Sequence, residues 1–184
     1  MTSRVVLVTG ASSGIGEATA TQMAAAGFTV YGAARRVDRI AQLPGVIPIA
    51  MDVTDEDQVS AAVQRIIDEQ GSLDILVNNA GYAQYGPVED ISIDAARRQF
   101  DVNIFGLARL TQLVIPHMRA QGKGTIVNIS SMGGRIYTPM GAWYHATKHA
   151  LEGWSDCLRV ELAPQGIEVI IVEPGGIASE FNEV

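Results

Sequence analysis

The chain has 184 residues, of which 47% are hydrophobic and 18% charged, a mix that suits one domain with its own core and excludes a disordered chain. Its net charge of −7 excludes the basic surface that a nucleic-acid partner requires. The single Cys157 excludes an intrachain disulfide framework and fits a reducing compartment, so a cytoplasmic location is expected.

No early segment combines a charged flank, an apolar run and a cleavage site. No apolar run is long enough to span a bilayer, so no membrane partner is expected. His117, His145 and His149 do not combine with cysteines or clustered carboxylates into a ligand set, and no metal is expected.

Arg4 to Thr9 is a β-branched run that reads as a strand buried on both faces. It leads into Gly10-Ala11-Ser12-Ser13-Gly14-Ile15-Gly16. A helical pattern then runs from about Ile15 to Ala26, with Gly27 as its stop. Strand, glycine-rich turn and helix in that order are the layout of a dinucleotide site. The glycines allow a tight turn and a close approach of backbone N–H groups to a pyrophosphate, and the helix N-terminus favours its charge. The gaps between the glycines are three residues and then one, not those of G-x-G-x-x-G.

Phe28 to Ala33 is a second strand, followed by Ala34-Arg35-Arg36. At this point an acid would hold the 2′-hydroxyl of NAD, whereas an arginine accommodates the 2′-phosphate of NADP. Arg35 and Arg36 therefore point to NADP over NAD, with Asp38 as the acidic alternative. Val46 to Ala50 is a third strand, and Met51-Asp52-Val53-Thr54-Asp55 follows. Thr54 is expected to cap a helix from about Asp55 to Gln70, with Asp57 at the capping-box position. Asp52 either reaches an adenine amino group or orders its own turn. Leu73 to Val77 is a fourth strand, and Asn78-Asn79-Ala80-Gly81 forms either a turn packed near a ligand or an ordinary Asx turn.

From about Ser92 a helical pattern runs to roughly Met118. Asn103 lies inside it, where asparagine is mildly unfavourable and needs a reason. Pro116 predicts a bend or a helix end nearby. Gly124 to Ile129 is a fifth strand ending in Ser130-Ser131. A helix bearing Tyr144 and Lys148 then runs to about Ala163, Ile167 to Val172 is a sixth strand, and Pro174-Gly175-Gly176 follows.

Tyr144 and Lys148 lie one turn apart on one helix face. An ammonium near a phenol is expected to lower its pKa and make it a usable general acid/base. The alternation of strands and helices predicts a single α/β domain over residues 1–184. Its expected form is a doubly wound parallel sheet of Rossmann type, with strand order 3-2-1-4-5-6 and right-handed crossovers. The marked residues then all follow the C-terminal ends of strands, the edge where such sheets bind ligands.

Over its whole length the sequence resembles the short-chain dehydrogenase/reductase family. The resemblance rests on Thr9-Gly10-x-x-x-Gly14-x-Gly16, Asn78-Asn79-Ala80-Gly81, Asn103, Ser131, Tyr144-x-x-x-Lys148 and Pro174-Gly175. It implies an NAD(P)-dependent oxidoreductase acting on a small alcohol/carbonyl pair, and the apolar, aromatic loops around Tyr82 to Val88 and Arg135 to Trp143 fit a hydrophobic substrate. Ser131, Tyr144 and Lys148 are the catalytic residues it implies, with Ser131 fitting the family's interval to Tyr144 better than Ser130. Asn103 is implied as the holder of a proton-relay water. The implied cofactor contacts are Gly10, Ser12, Ser13, Gly14, Ile15, Gly16, Arg35, Arg36, Asp52, Val53, Asn79, Ala80, Gly81, Tyr144, Lys148, Pro174, Gly175 and Ile177, with Thr9 and Asn79 supporting turns nearby. Ser179 stands where the family often has a cofactor-touching threonine.

The segment after the second strand looks most like the NADP-preferring branch, in the neighbourhood of the hydroxysteroid and retinol dehydrogenases. Family members continue into a substrate lid and a seventh strand, so the chain is expected to be truncated at its C-terminus. The resemblance also implies a homodimer or homotetramer. Its interface would use the helices carrying Leu107, Leu110 and Leu113 and Leu151, Trp154 and Leu158. The alternative function is a cofactor-binding protein with little or no turnover, serving as a sensor or assembly partner.

Overall fold

The computed structural model describes residues 3–177; Ser179 lies outside them. Six strands form one parallel sheet: β1 (Val5–Thr9), β2 (Thr29–Ala34), β3 (Val46–Ala50), β4 (Ile75–Asn78), β5 (Gly124–Ile129) and β6 (Ile167–Val172). Their order is β3-β2-β1-β4-β5-β6, as the alternation predicts. The helices are α1 (Gly14–Ala25), α2 (Val37–Ile40), α3 (Glu56–Gln70), α4 (Ile93–Phe100), α5 (Leu107–Gln121) and α6 (Ala142–Leu162).

The alternation of side chains along β1 builds the two layers. Val5 and Leu7 enter one core with Tyr31, Ile66, Leu76, Leu110, Ile126 and Leu158, under α3, α5 and α6. Val6 and Val8 enter the other with Ala20, Val30, Ile40 and Val77, under α1 and α2. Helices therefore cover both faces, and all parallel strands run toward the same edge.

Three local expectations are corrected. The cap of α3 is Asp55, not Thr54: the Asp55 carboxylate accepts from the Gln58 N–H at 3.0 Å, and Gln58 Nε2 donates back to it at 2.7 Å. Thr54 instead donates its N–H and hydroxyl to Asp52 Oδ1 at 2.9 and 2.7 Å, so this oxygen of Asp52 orders its own turn.

The long helical pattern after Ser92 is split. Between α4 and α5 the chain widens into a π-helical turn, Asp101–Gly106, with Asn103 inside it. The helix end expected near Pro116 comes five residues on, where α5 finishes at Gln121 and Gly122 takes the left-handed region.

The apolar residues expected at an interface mostly cover the sheet. Leu110 and Leu158 belong to the core and Leu151 is buried, while Phe105 and Val160 are the exposed apolar side chains of this region, at 60% and 76%.

Candidate active site

The C-terminal edge of the sheet opens into a cleft of about 1520 Å³. Almost every site residue expected from the sequence lines it. At one end stand Gly10, Ser12, Ser13, Gly14 and Ile15, beside Arg35, Arg36, Asp52 and Val53. Asn79, Ala80 and Gly81 form the middle, and Ser131, Tyr144, Lys148, Pro174, Gly175 and Ile177 the other end. Two expected residues, Gly16 and Asn103, do not line the cleft.

Gly16 works from beneath. A Cβ there would meet the Gly10 carbonyl oxygen at 2.3 Å and Asn79 Nδ2 at 2.4 Å. Gly10 and Gly14 both hold positive φ, 64° and 58°, which side chains rarely adopt. Asn79 locks this turn, donating from Nδ2 to the Thr9 and Gly10 carbonyls at 2.9 and 3.3 Å. The Thr9 hydroxyl accepts from the backbone N–H of Asn79 and Ala80, both at 3.0 Å.

The N-terminus of α1 receives no side-chain cap from Ser13, whose hydroxyl accepts from Arg36 Nη2 at 3.0 Å instead. A bare helix terminus behind a turn with no room for side chains fits a pyrophosphate. Burial works to raise the pKa of Asp52. Hydrogen bonds from the Thr54 N–H and hydroxyl, with the charges of Arg35 and Arg98, outweigh it and hold the carboxyl low.

At the far end, Ser131 follows β5 in extended backbone. Its hydroxyl accepts from the Gly133 N–H at 3.0 Å, and Ser131 and Tyr144 line the same end of the cleft. Ser130 also lines the cleft, but its hydroxyl is buried and has no hydrogen-bond partner among the described residues. The Tyr85 ring stands 5.7 Å from that of Tyr144.

The expected lowering of the Tyr144 pKa is overturned. Burial raises it, the Ser131 hydroxyl pulls it back only in part, and Tyr85 adds to the rise. The reason is where Lys148 goes. Its ammonium donates to the Ile129 carbonyl at 2.8 Å and lies 6.0 Å from the Tyr144 ring centre. Burial also pushes Lys148 itself down to about 8, with the charge of Glu152 opposing that fall.

Asn103 is buried, and its π-helical turn aims it at two neighbours. Nδ2 donates to the Tyr82 carbonyl at 2.9 Å and to the Thr147 hydroxyl at 3.1 Å, while Oδ1 accepts from the Tyr82 N–H at 3.1 Å. It ties the segment after Gly81 to the helix that carries Tyr144 and Lys148.

The structure adds residues that the sequence reading passed over. His145 lines the cleft next to Tyr144. Glu152, four residues after Lys148 on α6, is buried and paired with Arg135 at 2.9 Å. Helical spacing from Lys148 was the available signal for Glu152; adjacency to Tyr144 was the one for His145. Among the described residues, no three His, Cys, Asp or Glu gather as a metal would require, and no helix is long and apolar enough to cross a membrane.

The sequence profile of the short chain dehydrogenase family matches residues 4–184. The chain belongs to that family. This short-chain dehydrogenase is 38% identical to a 3-ketodihydrosphingosine reductase from Bacteroides thetaiotaomicron, across 100% of this chain and 67% of that one. A solved short-chain dehydrogenase from Streptomyces avermitilis superimposes with a TM-score of 0.93 at 42% identity, over 99% of this chain and 69% of the other. A 3-ketoacyl-(acyl-carrier-protein) reductase from Brucella melitensis, solved in complex with NADH, also gives 0.93, at 31% identity over 97% and 78%. The chain spans about two thirds of the length of the curated relatives it matches. Together the matches support an oxidoreductase that uses a nicotinamide nucleotide and acts on a small molecule.

Proposed function

We propose that the chain carries the catalytic site of an NADP(H)-dependent oxidoreductase acting on a small, hydrophobic alcohol/carbonyl pair, with Tyr144 as general acid/base. The observation that carries this reading is that Ser131, Lys148 and the buried Tyr144 line the same cleft as the glycine turn. Arg35 and Arg36 line that cleft, and Asp38 is not among the residues lining it, which favours the phosphorylated cofactor.

When bound, the nicotinamide supplies hydride to a carbonyl carbon or takes it from the alcohol. The chain's part is proton traffic and positioning. As negative charge grows on the substrate oxygen, Tyr144 gives up its proton there and the Ser131 hydroxyl donates a hydrogen bond to the same atom. A phenol whose pKa is raised by burial is held in its protonated form, ready for the reductive direction.

Lys148, with a pKa of about 8, keeps its charge near neutrality, and its ammonium is held by the Ile129 carbonyl at the same end of the cleft. Asn103 has one carbonyl lone pair left after its bonds to Tyr82 and Thr147, and that lone pair is the one available to a relay water.

The rim is apolar: Tyr85, Met132, Ile136 and Ile177 all line the cleft and are exposed. This supports a hydrophobic substrate. Two of the relatives carry a 3-keto compound in their names, so a 3-oxoacyl thioester belongs in the first panel of substrates. Exposed Phe105 and Val160 support a homodimer or homotetramer, which sedimentation at micromolar concentration would check.

The deciding experiment is a fluorescence titration with NADPH and with NADH, repeated on Arg35→Ser and Arg36→Ser. NADPH should bind at least ~10-fold tighter, and the substitutions should erase that margin while sparing NADH. Tighter NADH binding in the parent would overturn the cofactor assignment. Oxidation of NADPH is then followed with a medium-chain aldehyde, an aromatic ketone and a 3-oxoacyl thioester.

A further inference from the structure

His145 sits between the catalytic residues and the cleft rim, and both of its ring nitrogens are engaged. Nδ1 lies 2.8 Å from the Gly133 carbonyl oxygen. Nε2 receives the Thr138 N–H at 3.0 Å and lies 3.0 Å from the Thr138 hydroxyl. These partners fix the tautomer. A carbonyl oxygen only accepts, so Nδ1 carries the proton; a backbone N–H only donates, so Nε2 offers its lone pair. The ring is therefore neutral, with donor and acceptor each committed to a different piece of chain.

The two pieces matter to the site in different ways. Gly133 belongs to the 3₁₀ turn Met132–Gly134, and its own N–H donates to the Ser131 hydroxyl. Thr138 belongs to the segment between that turn and α6, which brings Ile136 to the cleft rim. That segment also joins the opposite wall, since the Gly86 N–H donates to the Met140 carbonyl at 2.8 Å.

His145 is 6% exposed, and two glycines pack against its ring. A Cβ at Gly133 would come within 3.0 Å of His145 Nδ1, and one at Gly141 within 2.6 Å of Cδ2. The Gly141 position also faces Tyr85, at 3.0 Å.

We infer that His145 is a positioning residue that clamps the Ser131 turn and the substrate-facing 135–141 segment to the helix bearing Tyr144. It thereby sets both the spacing of the Ser131–Tyr144 pair and the shape of the substrate wall. Its two bonds divide these tasks. The Nδ1–Gly133 bond holds Ser131 against Tyr144; the Nε2–Thr138 bond holds the wall. This inference rests on the reading of the cleft as an active site, yet the clamp itself is measurable without turnover.

The test compares His145→Asn with the parent, using the full-length protein. Asparagine places an amide donor near the position of Nδ1 and has nothing at that of Nε2. The Thr138 amide, whose acceptor is His145, should lose at least ~10-fold in hydrogen-exchange protection in the variant, with protection in the β-sheet and NADPH affinity unchanged.

In the parent, ¹⁵N spectra of the imidazole should show the neutral tautomer with the proton on Nδ1. With decanal and a 3-oxoacyl thioester as probes, KM should rise several-fold while kcat falls less. A second variant, His145→Gln, restores an acceptor farther out and should recover part of the Thr138 protection. An Nε2–H tautomer or an imidazolium near neutral pH would overturn the clamp. So would unchanged Thr138 exchange in a folded His145→Asn protein. If exchange and tautomer come out as expected but neither probe is turned over by the parent, the clamp stands and it is the functional reading of the cleft that has failed.

Discussion

Lys148 and Tyr144 share a face of α6, yet the ammonium turns to the end of β5, donating to the Ile129 carbonyl at 2.8 Å, and stays 6.0 Å from the centre of the phenol ring. The two groups thus hold opposite protonation tendencies. Burial keeps the proton on Tyr144 and loosens it on Lys148. A pair of titratable groups pushed in opposite directions at one end of a cleft is a pattern of acid/base sites.

Replacing Tyr144 by phenylalanine removes the proton and keeps the ring that packs against Tyr85. Turnover should fall by about 10²–10⁴-fold, the range of a lost general acid. NADPH affinity should stay within a few-fold of the parent. Single-turnover kinetics and a binding titration on the same preparation check both halves. Equal activity in the two proteins would remove Tyr144 from the mechanism.

The sheet order was legible in the sequence, and nearly every residue expected at the site lines the cleft, because both depend on local signals. Apolar runs end in Gly10, in Asn79-Ala80-Gly81 and in Pro174-Gly175, and a parallel sheet brings all such ends to one edge. What was not legible depends on tertiary partners. Asn103 announces itself as an oddity in a helix, but nothing local says that a π-helical turn aims it at Tyr82 and Thr147. The Tyr144 pKa was read with the wrong sign because spacing reports neighbours and not burial. The cap of α3 moved from Thr54 to Asp55 because Asp52 took the threonine for its own turn.

The buried Lys148 makes stability depend on pH, and the sign follows from the direction of its shift. Its pKa falls from 10.5 to about 8 in the folded state. Below 8 both states carry the proton, and the folded protein bears the full cost of burying it. Between 8 and 10.5 the unfolded chain binds a proton that the native state has released, so stability rises with pH across this window. The cost near pH 7 is on the order of 3 kcal/mol. Lys148→Met should remove this pH dependence and recover part of the cost, less what the Ile129 carbonyl loses with its donor. Urea unfolding of both proteins at about pH 7 and pH 10 measures it. A stability difference between them that does not change with pH would rule out the shift.

Arg135 is the cation that pairs with the buried Glu152 carboxylate among the described residues. It lies 2.9 Å from Glu152 and 2.9 Å from Glu173, and its own side chain is 55% exposed while that of Glu152 is 5%. Arg135→Ala would leave the buried Glu152 without this counter-charge and should destabilise the fold. Glu152→Gln removes the charge and keeps the shape, so it should cost less. The ordering, with Arg135→Ala the more damaging by thermal or chemical unfolding, is the expected result. The reverse ordering would mean that Glu152 is stabilised by something other than Arg135.

Gly16 separates packing from ligand contact, since it lies behind the glycine turn and not on the cleft surface. A Cβ at this position meets the Gly10 carbonyl oxygen at 2.3 Å and Asn79 Nδ2 at 2.4 Å, and neither can retreat. Nδ2 is already bonded to the Thr9 and Gly10 carbonyls, and Gly10 sits at φ 64°. Gly16→Ala should therefore cost about 1–3 kcal/mol of stability. It should also weaken NADPH by more than ~10-fold, because the turn proposed to hold the pyrophosphate has to shift. Gly153→Ala is the matched control. It lies inside α6 with nothing within 4 Å of the added Cβ, and it should gain about 0.5–1 kcal/mol from helix propensity without touching affinity. If Gly16→Ala binds NADPH as the parent does, the turn is not the phosphate site, whatever the two substitutions do to stability.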